Sequence, residues 1–347
     1  MTSISHIDFP STKAIRLLTA VICSLLAASP AAAQDVDFSG FGATGMRSYN
    51  QHPDSKYTQE FYYEGKLQAD ITFSKDIEGQ LDFRGASDDR EVVLREFSVK
   101  FKYWTYAKIK FGNVKKPFSL EGLADRDEYI PVFDSYIHRR NSELGYAGRN
   151  VGLVVYYNYK KKRPQFPFSY AVGVFKNQSY VTSMYARGSW HAGDFITSLG
   201  YSQLARSHDN AITTHGMSFD AGYMGEAFES GIELFYVQDP DESIRRSLLN
   251  LDDEVFSTGA KSLSAFRLPI GGKVVHMIEP FLLVAYYVPD SEVTDYHTIE
   301  FMPGVNVFLD DDVRLRITAD ALYTKDRYST EYNMLGSLFA LEVFVKF

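Results

Sequence analysis

Through most of this chain apolar and polar residues alternate one by one. The stretch "FYYEGKLQADITF" places Phe61, Tyr63, Gly65, Leu67, Ala69, Ile71 and Phe73 on one side and Glu64, Lys66, Gln68 and Asp70 on the other. "REFSVKFKY" sets Phe97, Val99, Phe101 and Tyr103 against Glu96, Ser98, Lys100 and Lys102. "DVRLRITADALY" sets Val313, Leu315, Ile317 and Tyr323 against Arg314, Arg316, Thr318 and Asp320. A sustained period of two means strands with one apolar and one polar face. The pattern predicts about sixteen of them, near 36–47, 59–74, 77–86, 92–103, 106–113, 149–159, 167–175, 181–192, 194–204, 213–224, 226–237, 256–267, 272–288, 296–309, 312–324 and 335–347. The first, twelfth and thirteenth have an ambiguous phase.

The connections alternate as well. Links at Lys75-Asp76, Trp104-Thr105, Gly193, Gly225, Pro269–Gly271 and Asp310-Asp311 are very short, with Lys160–Phe166 the longer member of that set. The others are long and polar, as in "SYNQHPDSKYT" or "QDPDESIRRSLLNLDDE". Short turns at one end and long loops at the other is the organisation of an outer-membrane β-barrel, with both termini at the short-turn end. The final "FALEVFVKF" then pairs with the first strand, Val343 turned to lipid and Glu342 and Lys346 to the interior. In water the same strand would be an aggregating edge. It also resembles the C-terminal signal that outer-membrane proteins present to their insertion machinery. The competing architecture, a soluble sandwich or propeller, turns its apolar faces inward and uses shorter strands.

Composition agrees. The 24 Tyr and 26 Phe exceed what a soluble domain usually carries, and 23% of residues are charged. That combination suits a sheet with lipid on one face and water on the other. The first 33 residues read separately: Lys13 and Arg16, then "LLTAVICSLLAAS", then Ala31-Ala32-Ala33, a secretory signal rather than a membrane span. Cys23, the single cysteine, lies in it, so the remaining chain has no thiol or disulfide. Setting aside Lys13, Arg16 and Asp8 leaves 34 basic and 43 acidic residues, a balance that excludes a nucleic-acid surface. The expected organisation is a signal at 1–33 and an all-β transmembrane antiparallel barrel over 34–347.

Alternation stops between the fifth and sixth strands, in "VKKPFSLEGLADRDEYIPVFDSYIHRRNSELGYAGRN". This is the third long-end loop, and connections of such length are usually functional. It carries Phe118, Leu120, Tyr129, Ile130, Val132, Phe133 and Ile137, which a loop in solvent would not need. It is expected to fold into the barrel over 114–148, with a short helix near 126–138; an external cap on neighbouring loops is the alternative. A sixteen-stranded barrel is too wide for side chains to fill, so an inserted loop sets the constriction. Its basic residues are Lys115, Lys116, Arg126, Arg139 and Arg140, with His138. Its acids are Glu121, Asp125, Asp127, Glu128, Asp134 and Glu143.

By parity Lys100, Lys102, Lys108 and Lys110 face the lumen on adjoining strands, and Arg314 and Arg316 face it near the short-turn mouth. Such a positive stripe suits anion passage. The plainer reading is a wet wall whose lysines balance Glu78, Asp82 and Glu96.

The run from Gly112 through Lys116–Glu121, closing at Gly148–Leu153, resembles the phosphate-selective porin O and P family. The resemblance implies a sixteen-stranded, trimeric outer-membrane channel with its third loop folded inward. It also implies that Lys108, Lys110, Lys115 and Lys116 serve anion transfer, phosphate in particular. This chain departs from the family where "VFDSYIHRR" replaces a Glu-Arg pair, and its loop carries six acids.

No Gly-x-Ser-x-Gly, His-Glu-x-x-His or glycine-rich phosphate loop occurs. The only Ser-His neighbours noted in sequence fall in "ARSHDN", a loop tip. Acidic clusters such as Asp252-Asp253-Glu254 read as solvated faces toward the lipopolysaccharide layer. The expectation is therefore a passive channel for small hydrophilic solutes, without cofactor or catalytic residue. Its rivals are a phospholipase-like barrel hydrolase and a plugged binding or adhesion barrel.

Overall fold

The computed structural model describes residues 35–50, 58–87, 92–159, 166–176, 182–206, 212–239, 243, 254–292, 295–325 and 331–347. The predicted signal segment, the "ARSHDN" tip and most other long-loop tips lie outside the described residues. Sixteen strands run through the described part: β1 (Asp35–Asn50), β2 (Thr58–Ser74), β3 (Ile77–Ala86), β4 (Val92–Phe101), β5 (Lys108–Lys115), β6 (Arg149–Tyr157), β7 (Phe168–Lys176), β8 (Thr182–Ala192), β9 (Phe195–Arg206), β10 (Ile212–Met224), β11 (Phe228–Gln238), β12 (Phe256–Phe266), β13 (Met277–Val288), β14 (His297–Phe308), β15 (Val313–Lys325) and β16 (Tyr332–Lys346). A two-residue continuation of β12, Leu268–Pro269, pairs with β13 as well.

Each strand is antiparallel to its chain neighbours, and β16 closes on β1 in the register Phe41↔Lys346 to Asn50↔Ser337. Gly40 and Phe347 exchange both backbone hydrogen bonds, at 2.9 and 3.0 Å, so the last residue is paired into the closed ring. Closure removes the sheet edges that a lipid environment would not tolerate. Side chains follow the predicted parity: Phe61, Phe111, Leu153 and Val343 lie exposed on the outer face, whereas Glu342, Arg316 and Phe344 are buried inside.

The inner face is not wet throughout. Phe175, Tyr185, Leu204, Phe235, Leu283 and Tyr287 point inward and pack with Phe118, Ile137, Leu144 and Tyr146 of the loop between β5 and β6. This dry half of the lumen explains why the phase of β13 was ambiguous. Phe281, Leu283, Ala285 and Tyr287 bury against the loop while Leu282, Val284 and Tyr286 face outward, so both faces are apolar.

The loop carries two helices, α1 (Leu120–Leu123) and α2 (Tyr136–Glu143), rather than one over 126–138. The reason lies in the caps. The Ser119 hydroxyl accepts from the Gly122 amide at 3.1 Å and the Ser135 hydroxyl from the His138 amide at 3.2 Å. Pro131 sits between them, where it cannot continue a helix.

Candidate functional site

The loop crosses the barrel and is bolted to the wall by groups from several strands. At its start the Phe118 carbonyl accepts from Arg187 of β8 at 3.1 Å and from Ser218 of β10. Arg187 is itself held by Asp220 in a two-pronged pair at 2.7 and 2.6 Å. Gly200 of β9 lets that carbonyl approach, because a Cβ there would lie 2.5 Å from it. Next, Glu121 pairs with Lys261 of β12, which also holds Glu233 of β11 at 2.6 Å. Glu121 further accepts from Tyr129 and from the Ser135 hydroxyl, both at 2.6 Å. Burial alone would push the Glu121 carboxyl up, but Lys261, His138 and Ser135 more than offset it and hold it down at about 2.

The middle of the loop is clamped by Arg316 of β15. It donates to the Tyr129, Ile130 and Pro131 carbonyls and pairs with Glu342 at 3.0 Å. Glu300 of β14 accepts from the Tyr136 amide at 2.9 Å, at the N-terminus of α2. These contacts place the loop inside the barrel and overturn the alternative of an external cap.

One side of the loop stays open. A cavity of about 250 Å³ separates it from the wall built by β1 to β4 and the start of β6. Six basic side chains border it: Arg47, Arg84, Arg95, Lys115, Arg126 and Arg149. Three acids do so, Glu64, Glu121 and Asp134. Arg47 and Phe133 also border a larger space of about 680 Å³ toward the long-loop end. Lys115 borders a third space of about 430 Å³, shared with Lys66, Lys100 and Lys110 toward the short-turn end. Arg47 and Phe133 stand between the first two spaces and Lys115 between the first and the third.

The sequence-predicted residues divide among these places. Lys100 and Lys110 line the short-turn vestibule, directly opposite one another in the β4–β5 ladder. Lys110 pairs with Glu96, Lys102 with Glu78, and Lys108 lies 5.9 Å from the Tyr156 ring centre. Lys115 is tied to Asp125 at 2.8 Å and to the Leu123 and Ala124 carbonyls. Arg126 reaches Glu342 at 2.9 Å, Arg139 lies 3.5 Å from both Glu300 and Asp320, and Arg140 pairs with Glu143. Asp127 meets Lys346 at 2.7 Å, Glu128 borders a side pocket next to Glu229 and Glu233, and Asp134 is exposed on the open side.

Three residues expected on a water-exposed anion path are found elsewhere. Arg316 has no exposed surface and serves as the loop clamp just described. Arg314 donates to the Asp127 carbonyl at 2.8 Å and covers the Phe344 ring at 4.6 Å. Lys116 is buried, donating to the Gly145 carbonyl at 2.7 Å, and burial pushes its ammonium down to about 8. For Arg314 and Arg316, inward parity places the side chain inside the ring, but the inserted loop occupies that interior; Lys116 lies in the loop and turns back onto it. The residues that sequence reasoning missed are Arg47, Arg84, Arg95 and Arg149. Only their position near the long-loop ends of the strands could have signalled them.

A Ser-His pair also exists that the sequence did not reveal. Ser169 and His191 lie 2.8 Å apart on β7 and β8, with Tyr159 stacked on the imidazole at 4.4 Å. Among the described residues no carboxylate orients His191, and no group of three or more metal-ligating side chains occurs.

The closed sixteen-stranded ring with a loop narrowing its lumen has counterparts. Residues 18–260 match the family described as Gram-negative porin. The chain belongs to the Gram-negative porins. It is accordingly a protein of the bacterial outer membrane, and its outward apolar face is the surface that meets lipid. Solved porin structures share the fold. The anion-selective porin from Comamonas acidovorans superposes with a TM-score of 0.63 at 11% identity, over 90% of this chain and 99% of that one. The outer-membrane channel DcaP of Acinetobacter baumannii gives 0.65 at 12% identity, over 92% and 99%. The trimer form of the Vibrio cholerae outer-membrane protein OmpT gives 0.59 at 11%, over 90% and 99%. No curated protein matches this porin in sequence.

Proposed function

We propose that this porin is a passive, non-enzymatic channel for small hydrophilic solutes, with a preference for anions. The observation that carries the reading is the charge bordering the narrow cavity, six basic groups against three acids. Glu121, one of the three, is paired with Lys261, which it shares with Glu233. Cations fixed along a narrow path between low-dielectric walls raise the local concentration of anions and exclude like charge. The vestibule beyond, with Lys66, Lys100, Lys110 and Lys115 against Asp82, Glu96 and Asp125, has the same sign.

A solved structure of the same fold is described as an anion-selective porin, which accords with this reading. Phosphate belongs to the class of solutes proposed. Its special selection rests on the resemblance at Lys116–Glu121 and Gly148–Leu153, and those segments act here mainly as the loop anchor. A homotrimer is proposed on the same resemblance and on the trimer form of the OmpT structure. The test is the zero-current potential of purified protein in a planar bilayer under a KCl gradient. The expected sign is that of chloride permeating faster. A potassium-directed potential would overturn the anion preference, and a bilayer without conductance would overturn the channel.

A further inference from the structure

Counted by strict alternation from the lipid-facing Phe97, Arg95 should also face lipid, where a guanidinium is costly. The strand breaks alternation at this residue. Asp82 of β3 pairs with Glu96, but Phe83 pairs with Leu94, so Arg95 is the extra residue of a β-bulge. The bulge leaves its carbonyl out of the regular ladder, and the side-chain amide of Asn113 on β5 donates to it at 2.7 Å. The side chain belongs to the lining of the narrow cavity, beside Arg84 and Arg149.

Each of the other cations of that lining has an acid within ion-pair reach, with Glu342 shared with Arg316 and Glu96 with Lys110. Arg47 pairs with Glu60, Arg84 with Glu64 at 2.5 Å, Arg126 with Glu342 at 2.9 Å, Arg149 with Glu96 at 3.4 Å and Lys115 with Asp125 at 2.8 Å. Among the described residues Arg95 has no carboxylate within ion-pair reach. A paired arginine presents a dipole to a passing ion, whereas an unpaired one presents a net charge. We infer that Arg95, turned inward by the bulge, is a residue that sets the charge preference of this channel, by receiving small anions on its guanidinium in the cavity beside the loop. The inference rests on the anion-channel reading above.

Three variants test it in planar bilayers under a KCl gradient. Arg95→Gln should lower the chloride-over-potassium permeability ratio by about threefold to tenfold, the effect of one unit charge a few ångströms from the ion path. The double change Arg140→Gln with Glu143→Gln removes an arginine that borders none of the three spaces, together with its partner, and should leave the ratio close to wild type. Arg95→Cys, made in a Cys23→Ala background, asks the same question chemically. A cationic methanethiosulfonate should restore anion preference and an anionic one should lower it further, because charged reagents do not reach a thiol facing lipid. An unchanged ratio in Arg95→Gln, or an Arg95→Cys channel indifferent to both reagents, overturns the assignment while the wild-type potential still points to chloride. A wild-type potential directed to potassium ends the anion reading and this inference together, and is distinguished because it appears before any substitution.

Discussion

Lys261 of β12 pairs with Glu121 of the inserted loop, and both residues are buried, at 5% and 7% exposure. The ammonium also holds Glu233 at 2.6 Å, so one cation compensates two acids in a dry region. Breaking a buried pair from one side leaves charge without compensation, at about 3–5 kcal/mol. Lys261→Met should therefore lower stability by that order and free the start of the loop. Lys102→Met, which breaks the partly exposed pair with Glu78, should cost under about 1 kcal/mol. Thermal unfolding in detergent, followed by loss of the β-sheet circular-dichroism signal, checks both. Equal shifts for the two variants would contradict the anchoring role.

The same carboxyl makes the anchor acid-sensitive. The Glu121 carboxyl is held at about 2, against an ordinary 4.5, so its contribution is present above the ordinary value and is lost as pH falls through the lower one. Stability should begin to decline below about pH 4.5 and continue declining toward about pH 2. Glu121→Gln should lower stability at neutral pH and flatten that acid limb. Parallel acid limbs in the two proteins would assign the decline to other groups.

Lys116 works with the opposite sign. Burial lowers its ammonium from 10.5 to about 8, so the folded state gives up the proton first. Wild-type stability should rise as pH goes from about 8 to about 10.5, where the folded state binds fewer protons than the unfolded one. Lys116→Met should abolish that rise without loss of stability at neutral pH. Denaturant midpoints at several pH values measure the difference between the two proteins.

Gly200 offers a steric test. An added Cβ would meet the Phe118 carbonyl at 2.5 Å and the Ser218 hydroxyl at 2.3 Å. Gly200→Ala should push the start of the loop off the β9–β10 wall and shift the single-channel conductance. Gly188→Ala, at a strand position where a Cβ meets open space, should leave it unchanged.

The barrel was legible because its signal is local. Alternation, short turns and long loops are each read within a dozen or so residues, and the strands occur close to where parity places them. The ambiguous thirteenth segment carries apolar side chains on both faces, Leu283 buried inward and Leu282 exposed outward. The constriction was less legible because it is assembled from distant strands. Arg47, Arg84 and Arg149 are isolated in sequence and meet only around the loop, whereas Lys100, Lys102, Lys108 and Lys110 are conspicuous because they are consecutive in parity. Arg95 was hidden by a single-residue bulge, which period-two counting assigns to the wrong face. The loop's apolar residues correctly implied burial, but its helices were set by Ser119, Ser135 and Pro131 rather than by the apolar run.

The central claim is that solute passes between one side of the inserted loop and the β1–β4 wall, while the other side of the loop is dry. Asp134 stands on the open side and Ile137, three residues later, is buried against the wall at 1% exposure. The most direct test uses a bulky charged thiol reagent on Asp134→Cys and Ile137→Cys, each in a Cys23→Ala background, during single-channel recording. The account predicts a stepwise fall in conductance for Asp134→Cys and no response for Ile137→Cys. Block at Ile137→Cys, or silence at Asp134→Cys, would contradict it.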